Sequence, residues 1–171
     1  IQSKNVSLKL SMENLLNKKK QNIKQVEFKK YEINLELTKN NNYLDFFNKK
    51  NINIPVKFKE GKITFFDNGV YIASINNADI NLKKINDFLN LKLNGNFLND
   101  NILVIWETKL KNTEPFTEFK LKMKDINLLV KANFFNTNKE NLNIKNGNIS
   151  IKKKKNKLTA VFDYKDKEFL I

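Results

Sequence analysis

The stretch Leu89-Asn90-Leu91-Lys92-Leu93 alternates apolar and polar side chains at every step. Successive side chains of a β-strand point to opposite faces, so this period of two is typical of a strand that buries one face. The pattern recurs too regularly for loop structure and predicts an all-β fold. The other alternating segments are residues 26–28, 33–37, 56–58, 63–65, 78–82, 119–123, 126–128, 142–144, 149–151 and 158–160.

Turn residues separate these segments, because Gly and Asn adopt positive φ at little cost. The spacing predicts a mainly antiparallel meander of about nine or ten strands. Such a meander would form a curved sheet, a groove or an incomplete barrel. The hairpin signals are Glu60-Gly61, Asp67-Asn68-Gly69 and Asn146-Gly147, and further polar breaks lie at 99–101 and 112–115.

Helix signals are few. Residues 41–48 cluster Leu44, Phe46 and Phe47 behind a possible Asn42 cap, and we expect one short helix there. Residues 11–21 fit either a strand end or a single helical turn.

The composition argues against an enzyme. The chain has no Cys and no His, which excludes disulfides, thiolate metal sites, catalytic triads and imidazole bases. The carboxylates that remain, such as Glu107 with Glu114 or Glu118 and Asp163 with Asp166, are mostly flanked by Lys. Neighbouring cations lower a carboxyl pKa rather than raise it towards that of a general acid. We interpret these groups as surface ion pairs, and we expect no catalytic residue, metal or cofactor.

The net charge of +14 comes from 32 basic residues, all of them Lys. With 31 Asn and no Arg, the bias follows the residues of AT-rich codons. Arg is the preferred residue for bidentate hydrogen bonds to guanine edges and to phosphates, because its planar guanidinium presents paired N–H donors. Its absence argues against nucleic acid as the partner, although Lys can still attract phosphate without sequence preference.

The lysines alternate with the apolar residues. Lys57, Lys120 and Lys122 lie between apolar neighbours and Lys152 follows Ile151, so one face of the sheet is predicted to be apolar and the other cationic. Residues 102–106 are apolar at every position, which predicts a strand covered on both faces. The run from Lys152 to Lys155 is interpreted as solvated.

A family resemblance follows from these segments. Residues 54–67, Ile-Pro-Val-Lys-Phe-Lys-Glu-Gly-Lys-Ile-Thr-Phe-Phe-Asp, resemble the strands of AsmA-like and TamB-like proteins, in which alternation, an Asp and a short turn recur. Residues 72–82, 91–106 and 147–164 look like further units of the same kind. The resemblance covers roughly residues 24–171.

The resemblance implies a location and a role. Proteins of this group are anchored in the inner membrane of diderm bacteria and extend through the periplasm as a long curled β-sheet. The hydrophobic groove of that sheet is associated with moving phospholipid towards the outer membrane, and the group has no catalytic residues. We therefore expect residues 1–171 to be one β-rich segment of a longer periplasmic domain, with its membrane anchor outside this chain.

The expected ligand is a phospholipid or another acyl lipid. Its acyl chain would be held by the hydrophobic effect, which needs no directional contacts, as it is buried against the apolar face. Lys at the rim would attract anionic headgroups. Two alternatives stay open: a structural or adhesive β-sandwich module with a packed core, and a non-specific Lys-mediated nucleic-acid binder. The predicted groove residues are Phe28, Ile33, Leu35, Phe58, Ile63, Phe65, Ile80, Leu82, Leu91, Leu93, Leu121, Met123, Leu128 and Ile149.

Overall fold

A single β-sheet makes up nearly all of the structure, a computed structural model that describes residues 1–10, 23–39, 54–85, 88–111, 114–136, 144–165 and 168–170. This confirms the all-β, mainly antiparallel prediction. The helix expected at 41–48 lies outside the described residues. The eleven strands are β1 (Gln2–Leu10), β2 (Ile23–Glu36), β3 (Val56–Asp67), β4 (Val70–Ile85), β5 (Phe88–Phe97), β6 (Asp100–Lys111), β7 (Glu114–Met123), β8 (Leu128–Asn136), β9 (Ile144–Lys153), β10 (Asn156–Lys165) and β11 (Glu168–Leu170), with a 3₁₀ turn at Leu37–Lys39 after β2.

The strands lie in the sheet in the order in which they occur in the chain. Every neighbouring pair is antiparallel except β2 and β3, which run parallel. A parallel pair cannot be joined by a two-residue hairpin; β2 ends at Glu36 and β3 begins at Val56. Within the described residues β1 and β11 do not pair with each other, so the sheet is open.

Two-residue turns close three of the hairpins. The predicted turn between β3 and β4 is confirmed, with φ of 49° at Asn68 and 78° at Gly69. Leu98 and Asn99 connect β5 to β6 with φ of 50° and 64°. Positive φ at both central residues gives these turns the twist that matches paired strands. The third turn, between β9 and β10, includes Lys154 with a φ of 55°.

Three local predictions were wrong. Glu60-Gly61 lies inside β3, so residues 56–58 and 63–65 belong to one strand rather than two. Asn146-Gly147 lies inside β9, where a Cβ on Gly147 would overlap the carbonyl oxygen of Asn133 on β8. At both positions glycine is required because neighbouring atoms leave no room for a side chain, and not because the chain turns there. Residues 126–127, expected to start a strand, form the turn before β8.

A line of bulges crosses the first half of the sheet. Lys30 in β2, Glu60 in β3 and Asn77 in β4 have positive φ of 52°, 56° and 48° in the middle of their strands. Each adds one residue to the alternation, so the inward-facing positions before and after it are three apart instead of two. Bulges of this kind bend a strand and increase its local twist. The matched bulges of β2 and β3 leave the register of that parallel pair unchanged.

Candidate functional site

One face of the sheet is apolar from β1 to β10. Cross-strand pairing brings one residue from each of these ten strands into a line, and two adjacent lines contain only aliphatic and aromatic side chains. At the usual strand spacing each line is roughly 45 Å long. Row 1 is Val6, Phe28, Phe58, Ile80, Leu93, Val104, Leu121, Val130, Ile151 and Leu158. Row 2 is Leu8, Val26, Val56, Leu82, Leu91, Trp106, Phe119, Ala132, Ile149 and Ala160.

The structure places all fourteen predicted groove residues on this apolar face. Eight of them are members of rows 1 and 2. Met123 pairs with Leu128 one step further along the strands. Beyond the bulges, the remaining four form two cross-strand pairs between β2 and β3: Ile33 with Ile63, and Leu35 with Phe65.

Burial along row 1 changes from the centre to the ends. The central members Phe58, Ile80 and Leu93 are only 8–9% exposed. Val6 at one end is 58% exposed and Leu158 at the other is 63% exposed. The centre is therefore shielded by its neighbours, whereas both ends present apolar surface to solvent.

Several residues of the apolar face were missed from the sequence. Tyr31 is 1% exposed and belongs to the core cluster, but it lies three positions after Phe28 because of the bulge at Lys30. Strict alternation assigns it to the wrong face. Trp106 ends the uniformly apolar run 102–106, where no alternation exists to indicate direction.

The Tyr31 side chain joins three strands. Its ring lies against Gly61 on β3, and its hydroxyl donates a hydrogen bond of 3.0 Å to the carbonyl of Ala78 on β4. The ring also packs against Phe58, with centroids 5.1 Å apart. Burial, with a further contribution from the charge of Asp79, raises the pKa of Tyr31. The phenol therefore stays protonated and remains a donor.

Aromatic rings surround the single Trp. The Trp106 ring centroid lies 5.3 Å from that of Phe134 and 6.2 Å from that of Phe119, both in edge-to-face geometry. Its indole Nε1 is buried and has no hydrogen-bond acceptor among the residues that the structure describes. The buried hydroxyls of Thr108 and Thr117, by contrast, pair with each other at 3.3 Å. Trp106 thus carries an unpaired donor within an apolar row.

The opposite face is polar and rich in Lys, as the alternation predicts. Lys120 pairs with Lys131, and Lys122 and Lys152 lie on either side of Leu129. Leu103 and Ile105 also point to this face and are half-buried, so β6 does present apolar side chains on both sides.

Lys109 on the polar face forms ion pairs with two glutamates. The Lys109 Nζ lies 2.9 Å from Glu107 and 2.7 Å from Glu118, which confirms the predicted surface pairing of these glutamates. The hydrogen bonds that Lys109 donates to Glu118 and Glu107 raise the pKa of Lys109.

Asp79 fixes the bulge of β3. It accepts the Glu60 backbone N–H at 3.0 Å and pairs with the Lys59 Nζ at 2.6 Å. Burial by itself raises the pKa of Asp79, but these hydrogen bonds outweigh it and hold the pKa below its usual value.

Within the described ranges, His, Cys, Asp and Glu form no group of three that could hold a metal ion. No helix in that part of the chain has the length and hydropathy needed to cross a bilayer. Comparisons with family models, curated proteins and solved structures found no match to this chain.

Proposed function

We propose that the apolar face holds the acyl chain of a lipid and that the protein acts without catalysis. The observation that carries this proposal is the pair of rows, which run uninterrupted by polar side chains across ten strands. An acyl chain spans about half of a hydrocarbon core of ~30 Å, so it fits along a row of roughly 45 Å. Each methylene that leaves water contributes about 0.8 kcal/mol.

The exposed ends of the rows support the same function. Val6 and Leu8 at β1, and Leu158 at β10, present apolar side chains that a soluble protein gains nothing by exposing. An acyl chain lying over one end of a row would cover the exposed side chains at that end. The proposal includes, by resemblance to AsmA-like proteins, a periplasmic location and the transfer of phospholipid towards the outer membrane.

Trp106 allows a direct test, because it is the only Trp in the chain and a member of row 2. The full chain is titrated with a fatty acid brominated along its acyl chain, and separately with the same fatty acid without bromine, while Trp106 fluorescence is measured. Bromine quenches indole fluorescence only at short range, so saturable quenching by the brominated lipid alone is expected. Absence of quenching at concentrations below micelle formation would overturn the proposal.

A matched pair of variants then identifies the face. Val130 belongs to row 1, whereas its neighbour Leu129 points to the polar face, and both are half-buried. We expect Val130→Asp to weaken binding at least about tenfold, because a carboxylate in the row must be desolvated. Leu129→Asp should leave binding unchanged. Equal weakening by the two variants would argue against a site on the apolar face.

A second pair keeps the test valid if Val130→Asp fails to fold. Leu158 and Val161 lie on the same strand with exposures of 63% and 70%, and they point to opposite faces. Leu158→Asp should weaken the binding of lipids whose acyl chain extends over β10. Val161→Asp should leave the binding of the same lipids unchanged.

A structural β-module is the second candidate function, and the burial at the centre of row 1 favours it. In that case the apolar face is a packed core that is closed to ligands. The chain would then purify without lipid, and the brominated fatty acid would leave Trp106 fluorescence unchanged although the protein is folded.

A further inference from the structure

The polar face contains a hollow of about 430 Å³ over β3 to β6. It is lined by two lines of side chains that point away from rows 1 and 2, and by Pro55 and the row 2 residues Val56, Leu82 and Leu91 that lie between these lines. In the first line, Asn81 lies between Lys57 and Lys92, and Ile105 follows Lys92. In the second line, Lys83 pairs with Asn90. The hollow is therefore built by strand pairing on one continuous piece of sheet.

Three lysines, Lys57, Lys83 and Lys92, line this hollow. Glu27 on β2 lies directly opposite Lys57, and its carboxylate is 3.7 Å from the Lys29 Nζ. Among the described residues, the ion pairs do not involve Lys57, Lys83 or Lys92. Glu107 also lines the hollow, but Lys109 holds it at 2.9 Å. Lys57 and Lys92 flank Asn81 from the two adjacent strands, so their backbones are about 10 Å apart. The lysines therefore create a local positive potential that a bound anion would relieve.

The lining of the hollow is mostly apolar, and its polar side chains include two carboxamides as well as the lysines. Asn81 lies between Lys57 and Lys92, whereas Asn90 lies between Lys83 and Glu107. Each carboxamide offers two N–H donors. Ammonium and amide donors together satisfy an anion with several oxygen atoms, and hydrogen bonds to a charged group are the strong ones. Ile105 supplies an apolar wall beside them.

We propose that this hollow binds a phosphate-bearing ligand, with the phosphate between Lys57, Lys83 and Lys92 and the uncharged part against Ile105. The volume lies in the range of small-molecule sites and exceeds the need of a lone phosphate ion. A soluble phosphate ester and the headgroup of a phospholipid share this chemistry. The site lies on the opposite face from rows 1 and 2 and does not depend on the lipid-binding proposal.

The test measures binding of three probes by isothermal titration calorimetry at constant ionic strength. The probes are inorganic phosphate, glycerol 3-phosphate, and dihexanoylphosphatidic acid below its micelle concentration. Binding of all three with affinity rising from the first to the last indicates a lipid headgroup. Equal affinity for glycerol 3-phosphate and the lipid indicates a soluble ester. Failure of all three to bind at millimolar concentration overturns the proposal.

A triple variant and a matched control separate the site from general attraction to a chain of charge +14. The control removes three exposed lysines from β8, β9 and β10 on the same face, so both variants lose the same charge. We expect the site variant to weaken binding by about a hundredfold or more, since each charged hydrogen bond counts for at least about tenfold. The site variant is K57Q/K83Q/K92Q and the control is K131Q/K152Q/K157Q.

Equal weakening by the two triple variants would show non-specific attraction and overturn the site. Quenching of Trp106 by brominated lipid should survive K57Q/K83Q/K92Q, because Trp106 points to the other face. Loss of phosphate binding with retained quenching thus distinguishes this proposal from the acyl-chain proposal.

Discussion

The ring of Tyr31 occupies the space that a side chain at Gly61 would need. A Cβ on Gly61 would overlap the Cδ1, Cε1 and Cζ atoms of that ring. From this position the Tyr31 hydroxyl reaches the carbonyl of Ala78, two strands away. The pair therefore connects β2, β3 and β4 at the line of bulges, where regular pairing is interrupted.

This relationship predicts strong coupling between the two residues. Gly61→Ala should lower the free energy of unfolding by about 3 kcal/mol, at the upper end for overpacked cores. Tyr31→Phe keeps the ring and should cost about 1 kcal/mol for the lost hydrogen bond. Urea denaturation followed by circular dichroism measures both.

A double-mutant cycle supplies the control. In a Tyr31→Ala background the ring is absent, so the additional cost of Gly61→Ala should fall below about 1 kcal/mol. An unchanged cost would mean that Gly61 is required for its backbone conformation and not for space.

Asp100 predicts a pH dependence. The residue is 4% exposed, and its carboxylate accepts the backbone N–H groups of Asp125 at 2.9 Å and Ile126 at 3.2 Å, which ties the start of β6 to the turn before β8. Burial raises the pKa of Asp100, but these backbone hydrogen bonds outweigh it and lower the pKa. Because the folded pKa lies below the unfolded value of about 4, the stabilisation is present above about pH 4 and is lost as the pH falls through the folded pKa.

Asp100→Asn should therefore lower the thermal midpoint at pH 7 and flatten its decline between pH 5 and about pH 2. Asp163→Asn, at an exposed carboxylate on β10, is the control and should leave the profile as in the wild type. A profile that Asp100→Asn does not flatten would assign the acid sensitivity to other groups.

The turn at Leu98 predicts a stabilising substitution. Leu98 is 74% exposed with a φ of 50°, a conformation that Asn tolerates better than Leu. Leu98→Asn should raise the free energy of unfolding by about 0.5–1 kcal/mol. Leu110→Asn removes a leucine of 58% exposure from a strand and should not stabilise. Equal effects would point to removal of exposed apolar surface instead.

The face to which a side chain points is predicted correctly where the alternation of apolar and polar residues is unbroken. Leu91 and Leu93 lie on the apolar face and Lys92 on the polar face, as a period of two requires. Phe58 and Ile63 also share the apolar face, but they are five positions apart, and in one regular strand they would point in opposite directions. The bulge at Glu60 brings them together. Alternation predicts the correct face for both residues only when 56–58 and 63–65 are treated as two separate strands.

The remaining errors have physical causes of the same kind. An extra residue in a strand shifts the alternation of apolar and polar residues by one position and gives no other signal in the sequence. The face to which Tyr31 points therefore cannot be predicted from alternation. Likewise, the parallel direction of the β2–β3 pair leaves no signal in the alternation of either strand. The hollow among the lysines depends on register across four strands, which local patterns do not determine.

Trp106 gives a last prediction, because its buried N–H has no acceptor among the described residues. An unpaired buried donor costs about 1–3 kcal/mol, and Trp106→Phe removes it while keeping an aromatic ring between Phe119 and Phe134. The smaller ring leaves a gap whose cost of roughly 1–2 kcal/mol offsets that gain. We expect the free energy of unfolding to stay within about 1 kcal/mol of the wild type, measured by circular dichroism because the variant has no Trp. Phe134→Leu, at a neighbouring ring of 6% exposure that carries no donor, should cost more. If Trp106→Phe proves the more costly of the two, the indole N–H has a partner in solution, and an acceptor at that point of row 2 has to be identified.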